Sequence, residues 1–206
     1  MKCDKCKRLS CFLAENRQKF PDFYNAPVPN FGSPEAELLI VGLAPGLKGA
    51  NATGRPFTKD YAGKILYPAL LKANLATGKF EERADDTLRL INTQITNAVL
   101  CVPPQNKPTT AEIKQCNENL RHTIAQMKNL KIILSLGRIS HNAVLQAFGL
   151  KQSAYPFGHA KCHSLPNGVV LYDSYHCSLY NISTHVLTAQ MFDSVIAKIK
   201  ARLNES

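Results

Sequence analysis

The chain has 206 residues, 45% of them hydrophobic and 19% charged, the balance of a globular domain large enough for a substantial core. No apolar run approaches the roughly 18 residues that span a bilayer. No apolar stretch follows the basic start, as a secretory leader requires, so a cytoplasmic protein without membrane contact is expected. The formal net charge of +10 points to a polyanionic partner, nucleic acid being the commonest in a cytosol, and seven cysteines, an odd number, argue against a disulfide framework.

Cys3 and Cys6 open the chain with the two-residue spacer that lets two thiolates grip one metal centre. An apolar, β-branched run at residues 37–43 reads as a buried strand, followed by a long glycine-rich loop and a helix over 61–73. A weaker helical pattern lies near 84–92. The second strand, 95–102, carries Cys101, and beyond the Pro-rich loop 103–108 a helix over 109–130 carries Cys116. Then come a strand at 131–137, a helix at 139–148, a strand at 168–173 and a last helix at 184–203. No repeat, low-complexity tract or linker interrupts the sequence, so residues 1–206 are expected to form a single domain.

Strands alternating with helices imply right-handed crossovers and a parallel sheet covered on both faces. The expectation is therefore an α/β protein, a three-layer α/β/α sandwich around a four-stranded parallel sheet. In such sheets chemistry gathers beyond the carboxyl ends of the strands. The residues that follow positions 43, 102, 137 and 173 should carry the function.

Cys3, Cys6, Cys101 and Cys116 could together hold an iron–sulfur cluster or a structural zinc, tying the N-terminus to the middle of the domain. Of the other three, Cys11 is expected to begin a helix beside that site and Cys177 adjoins His176. Cys162 lies in His159-Ala-Lys-Cys162-His163, which is short of the four ligands that a tetrahedral site needs.

After the first strand runs Gly42-Leu-Ala44-Pro-Gly46-Leu-Lys48-Gly49-Ala-Asn51-Ala-Thr-Gly54-Arg55-Pro-Phe57-Thr-Lys59-Asp60. Gly49 and Gly54 have the separation of a P-loop, but Arg55-Pro56 stands where Lys-Ser/Thr is required, which excludes that phosphate cradle. Glycines here would let the backbone approach a flat ligand closely. Phe57 adds a stacking face and Asp60 a carboxylate.

This stretch resembles the first motif of the type B (family 5) uracil-DNA glycosylases. Thr96-Asn97-Ala-Val-Leu-Cys101, Ser174-Tyr175-His176-Cys177-Ser178-Leu179-Tyr180-Asn181 and the four paired cysteines are similar to the family's other motifs, in the family's order, from Cys3 to about residue 191. The resemblance implies a monofunctional enzyme that hydrolyses the N-glycosidic bond of uracil in damaged DNA and leaves an abasic site. It further implies a 4Fe-4S cluster on Cys3, Cys6, Cys101 and Cys116, with zinc as the alternative. His176, Asn97 and Asp60 would be catalytic. Gly42, Ala44, Gly46, Phe57 and Asn97 would form the base pocket, and a monomer is expected.

Chemistry gives the same residues work. A base must leave the stack to be excised; Phe57 could then stack on it, and the Asn97 amide, both donor and acceptor, could read its edge. Negative charge grows on the departing base and positive charge on the sugar, so a donor at His176 and a carboxylate at Asp60 suit the two ends. Leu179 and Tyr180, with Ser178 and Asn181 beside them, could wedge into the minor groove. Lys48, Arg55 and Lys59 could meet phosphates.

Each also has a plainer reading: Phe57 as a core aromatic, Asn97 as a turn residue, Asp60 as a helix N-cap, His176 as a loop histidine and each cation as a solvated charge. Two departures from relatives stand out. Strict uracil enzymes carry Gln-Asp-Pro-Tyr where this chain has Leu43-Ala44-Pro45-Gly46, which shifts the acid to Asp60 and opens the pocket at Gly46, room for other deaminated bases such as hypoxanthine. Cys177 and Leu179 replace the prolines of the relatives' His-Pro-Ser-Pro. The rival classes are a non-catalytic zinc- or iron–sulfur-stabilised nucleic-acid-binding module and an electron-transfer iron–sulfur protein. Neither uses the loop 42–60 or His176.

Overall fold

The computed structural model describes residues 5–205. In chain order its elements are α1 (Lys7–Lys19), β1 (Phe31–Gly32), β2 (Leu38–Gly42), α2 (Ala50–Thr53), α3 (Gly63–Lys72), β3 (Ala76–Thr77), β4 (Arg89–Leu90) and β5 (Thr93–Asn97). The second half adds α4 (Thr110–Gln126), β6 (Ile132–Leu136), α5 (Arg138–Ala147), β7 (Cys162–Ser164), β8 (Val170–Ser174), α6 (Leu179–Ser183) and α7 (Ala189–Asn204).

The main sheet runs β1-β5-β2-β6-β8-β7. Its four inner strands are parallel and buried at every residue, as both-face coverage requires. The expected four-stranded sheet is thus its centre, and antiparallel β1 and β7 extend it to six. With two and three residues, those edge strands are too short to show a period.

Alternation along the inner strands fills two cores. Leu38, Ile40, Leu134 and Leu136 pack with Leu66, Leu70, Phe192 and Ile196 of α3 and α7. Leu39, Val41, Ile133 and Leu171 pack with Leu120 and Val144 of α4 and α5. Each such side chain is worth about 1.5–3 kcal/mol when fully buried. α4 starts on a capping box, the Thr109 side chain accepting from Glu112 N while the Glu112 carboxylate accepts from Thr109 N.

Other departures have local causes. Residues 99–102 are apolar because they lie in a third cluster with Leu9 and Leu13 of α1, and Ala98 because it packs in the second; none continues β5. The helix expected at 84–92 does not form. The Asp86 carboxylate accepts from the backbone amides of Glu81 and Leu88, a local competition that helices lose, and β4 pairs with β3 instead. The last helix begins later than expected, at Ala189, with Thr188 capping α7 through Met191 N, and the short α6 precedes the expected span. Cys11 falls in the middle of α1 and is exposed, rather than beginning a helix.

Candidate active site

The register places Gly42 opposite Asn97 at the carboxyl ends of β2 and β5. Over these ends opens a cavity of about 380 Å³ walled by Ala44, Gly46, Phe57, Asp60, Asn97, His176, Ser178 and Leu179. Residues from four separate stretches of sequence meet there. Gly42 supports the floor: a Cβ on it would lie 2.3 Å from Asn97 Oδ1 and 2.5 Å from Phe57 Cζ. Asn97, the last residue of β5, is 5% exposed and turned to the cavity.

Phe57 is buried with φ +53°, a conformation that aromatic residues seldom adopt. Its carbonyl rests where a side chain at residue 63 would be, since a Cβ on Gly63 would fall 1.8 Å from Phe57 O. Its ring and that of His176 stand 6.4 Å apart at 33°.

Two residues upstream, Arg55 corrects the sequence reading. It is not a phosphate contact: it is 4% exposed and bonds both Asp86 oxygens at 2.7 and 2.8 Å. Its Nε donates to Thr58 Oγ1, and its guanidinium lies 5.1, 5.6 and 5.9 Å from the rings of Phe31, Tyr67 and Phe80. The Arg55 hydrogen bonds hold the Asp86 carboxyl down at about 2, against the opposing cost of burial. Lys48 and Lys59 remain exposed near the cavity.

Asp60 is half-buried and does not cap α3, whose first turn has no side-chain cap. Its Oδ2 accepts from Ala50 N at 3.2 Å, and its Oδ1 lies 2.5 and 1.8 Å from where Cβ atoms on Gly46 and Gly49 would stand. The two glycines make the carboxylate's room. Burial raises its pKa and the Ala50 amide offsets part of the rise. Burial lowers the pKa of half-buried His176, so its ring is neutral at pH 7.

Ser178 and Asn181, both partly exposed, also shape the loop. Ser178 Oγ caps α6 by accepting from Asn181 N, and Asn181 Nδ2 donates to His176 O at 2.7 Å. Leu179 and Tyr180 project from the cavity rim, 57% and 72% exposed. Asn106 and Tyr61 also line the cavity and went unnoticed in the sequence. The φ of +56° at Asn106, and its side chain accepting from Leu47 N, bring a distant loop to the rim.

Cys6, Cys101 and Cys116 pack in the third apolar cluster, between α1, the chain leaving β5 and α4; Cys3 lies outside the described residues. Their shared apolar cluster and soft thiol chemistry suit a thiolate-bound metal group. Cys162 is exposed on β7 and turned away from His163, so the 159–163 segment gathers no site by itself. A larger groove of about 720 Å³ between α3 and α7 is crossed by the Lys72–Asp193 ion pair and lies far from the strand ends.

A covered parallel sheet with a cavity over its strand ends is the arrangement of α/β enzymes. The chain belongs to the Uracil DNA glycosylase superfamily, whose family model matches residues 29–200. It is 41% identical over 203 residues to the Type-5 uracil-DNA glycosylase of Thermus thermophilus, covering 96% of this chain and 92% of that protein. It is 37% identical to the Mycobacterium bovis Type-5 enzyme, covering 96% and 77% of the two, and 29% identical to the Type-4 uracil-DNA glycosylase of Sulfurisphaera tokodaii, covering 94% and 78%.

Proposed function

We propose that this protein is a monofunctional DNA glycosylase that hydrolyses the N-glycosidic bond of uracil in DNA and leaves an abasic site. The observation that carries the reading is the meeting of Phe57, Asp60, Asn97 and His176 around one base-sized cavity. A flipped uracil stacks on Phe57, and the Asn97 amide, donor and acceptor at once, pairs with its polar edge. As the bond stretches, the neutral His176 ring donates to the base oxygen that gathers negative charge. The Asp60 carboxylate stabilises the positive sugar and orients the attacking water.

Lys48 and Lys59 hold phosphates, and Leu179 and Tyr180 fill the space that the base vacates. With no side chain at residue 46 the pocket also admits hypoxanthine. Cys3, Cys6, Cys101 and Cys116 would hold a 4Fe-4S cluster, with zinc as the alternative occupant. Such a group, when bound, supplies a covalent brace between the N-terminus, the end of β5 and α4.

Free uracil should be released from a duplex oligonucleotide by wild-type protein, and about 10²–10³-fold more slowly by His176→Ala or Asn97→Ala, the cost of one transition-state hydrogen bond. No release by wild-type protein from single- or double-stranded uracil DNA would overturn the reading.

A further inference from the structure

Beneath the His176 loop lies a cluster of polar groups that none of these steps uses. Asp173 of β8 is fully buried, and the ionic partners that the structure gives it are two histidines. Its Oδ1 accepts from Ser135 Oγ at 2.7 Å and lies 2.7 Å from His141 Nδ1; its Oδ2 lies 3.3 Å from His163 Nε2. The other nitrogen of His141, Nε2, lies 2.8 Å from Tyr155 O. Both nitrogens of that buried ring have an oxygen partner, which fixes the ring between the carboxylate and the Tyr155 carbonyl.

The chemistry of the cluster is not catalytic. Ser135 bonds the carboxylate rather than the imidazole and is wholly buried, so it is no nucleophile of a triad. The 2.7 Å between His141 Nδ1 and Asp173 Oδ1 is the length of a charge-assisted hydrogen bond. Two ligands of one tetrahedral zinc stand about 3.3 Å apart, given bonds of roughly 2.0–2.1 Å. The spacing of these two atoms is that of a hydrogen bond, shorter than the spacing of two ligands on one zinc.

The cluster's position gives it a use. Its members come from β6, α5, β7 and β8, and His176 follows Asp173 by three residues. The chain between them is pinned: Ala160 N donates to Asp173 O and Gly137 N to Ser174 O, at 2.9 and 2.8 Å. The Phe157 ring meets His141 edge-on at 5.5 Å and Tyr175 at 6.1 Å, and Tyr175 stacks on His159 at 5.1 Å. Rings thus run without a break from His141 to the residue before His176.

We propose that Asp173 and His141, braced by Ser135 and His163, are positioning residues for His176. The pair fixes the height and direction at which the chain leaves β8, and so where the His176 ring stands. The inference rests on His176 acting in base release.

Asp173→Asn keeps the shape but removes the charge. It should slow single-turnover uracil release by up to about a hundredfold, the cost of a small misplacement, while affinity for an abasic duplex holds. In the His176→Ala background it should cost nothing further, since a positioning residue acts only through the group it positions. An equal loss in both backgrounds, or wild-type release by folded Asp173→Asn, would overturn the proposal. Should that variant not fold, His163→Asn, at the half-buried edge, decides by the same comparison with a smaller loss. Wild-type protein that releases no uracil defeats the functional reading alone; displaced His176 ring resonances in Asp173→Asn would still support the positioning, and unmoved ones would refute it.

Discussion

At Asp60, desolvation and a single backbone amide pull in opposite directions, and desolvation prevails. Because the folded pKa lies above the ordinary 3.8, the fold prefers the protonated acid, and stability falls as pH rises from the unfolded carboxylate range through the folded value. Asp60→Asn cannot ionise and can still accept from Ala50. At pH 7 it should therefore melt at a higher temperature than wild type while losing most base release, with thermal melts and uracil assays as the checks. The pH–rate profile of wild type should show an acid limb, set by Asp60, that the variant's residual activity lacks. His176 has the opposite sign: its folded pKa is depressed below 6.5, so its contribution to stability is present above that value and lost as pH falls through the lowered one.

At the scale of elements, the segment after β3 is organised by one ion pair. Replacing Asp86 with Asn strands the Arg55 guanidinium among Phe31, Tyr67 and Phe80, and should cost about 3–5 kcal/mol in denaturant unfolding, the penalty for an unpaired buried charge. The carboxyl's depressed pKa of about 2 means that this contribution persists above the ordinary 3.8 and disappears as pH falls from there toward 2. The same pair shows where sequence reading stops. β2, β6 and β8 were legible because burial on both faces writes itself as largely apolar, β-branched runs, whereas β5, Thr93–Asn97, is mostly polar and was placed too late by the apolar residues that follow it. Asp60 and His176 stood out in the loops that follow β2 and β8, and Asn97 in the motif that ends β5. Arg55 was misread because its partner is 31 residues away, in a stretch whose acidic residues resemble a solvated helix face. α1 escaped notice as an extended helix because only Leu9, Leu13 and Asn16 of its thirteen residues are buried.

At the scale of the whole molecule, a net charge of +10 attracts polyanions such as DNA. Lys48→Ala and Lys59→Ala should each reduce the slope of log affinity against log salt by about one, and weaken all DNA sequences alike; an unchanged slope would remove that lysine from the interface. The proposed cluster would act at the same scale, joining the N-terminal helix to the exit of β5. Purified protein is expected to carry about four irons per chain. Cys101→Ala should lose the metal and unfold earlier, while its folded fraction, saturated on DNA, still breaks the bond at a near-normal single-turnover rate. A collapse of that rate in folded, DNA-bound variant would give the cysteines a chemical role instead.

The contact between Gly46 and Asp60 ties substrate range to the acid itself. A Cβ at residue 46 would stand 2.5 Å from Asp60 Oδ1, so any side chain added there to narrow the pocket must displace the carboxylate first. An engineer seeking a uracil-only variant therefore cannot reach it by one substitution at 46. Gly46→Ala should lose activity on uracil and on larger bases together. A viable route would first install an acid elsewhere on the rim, making breadth and catalysis a single inherited choice rather than two adjustable ones.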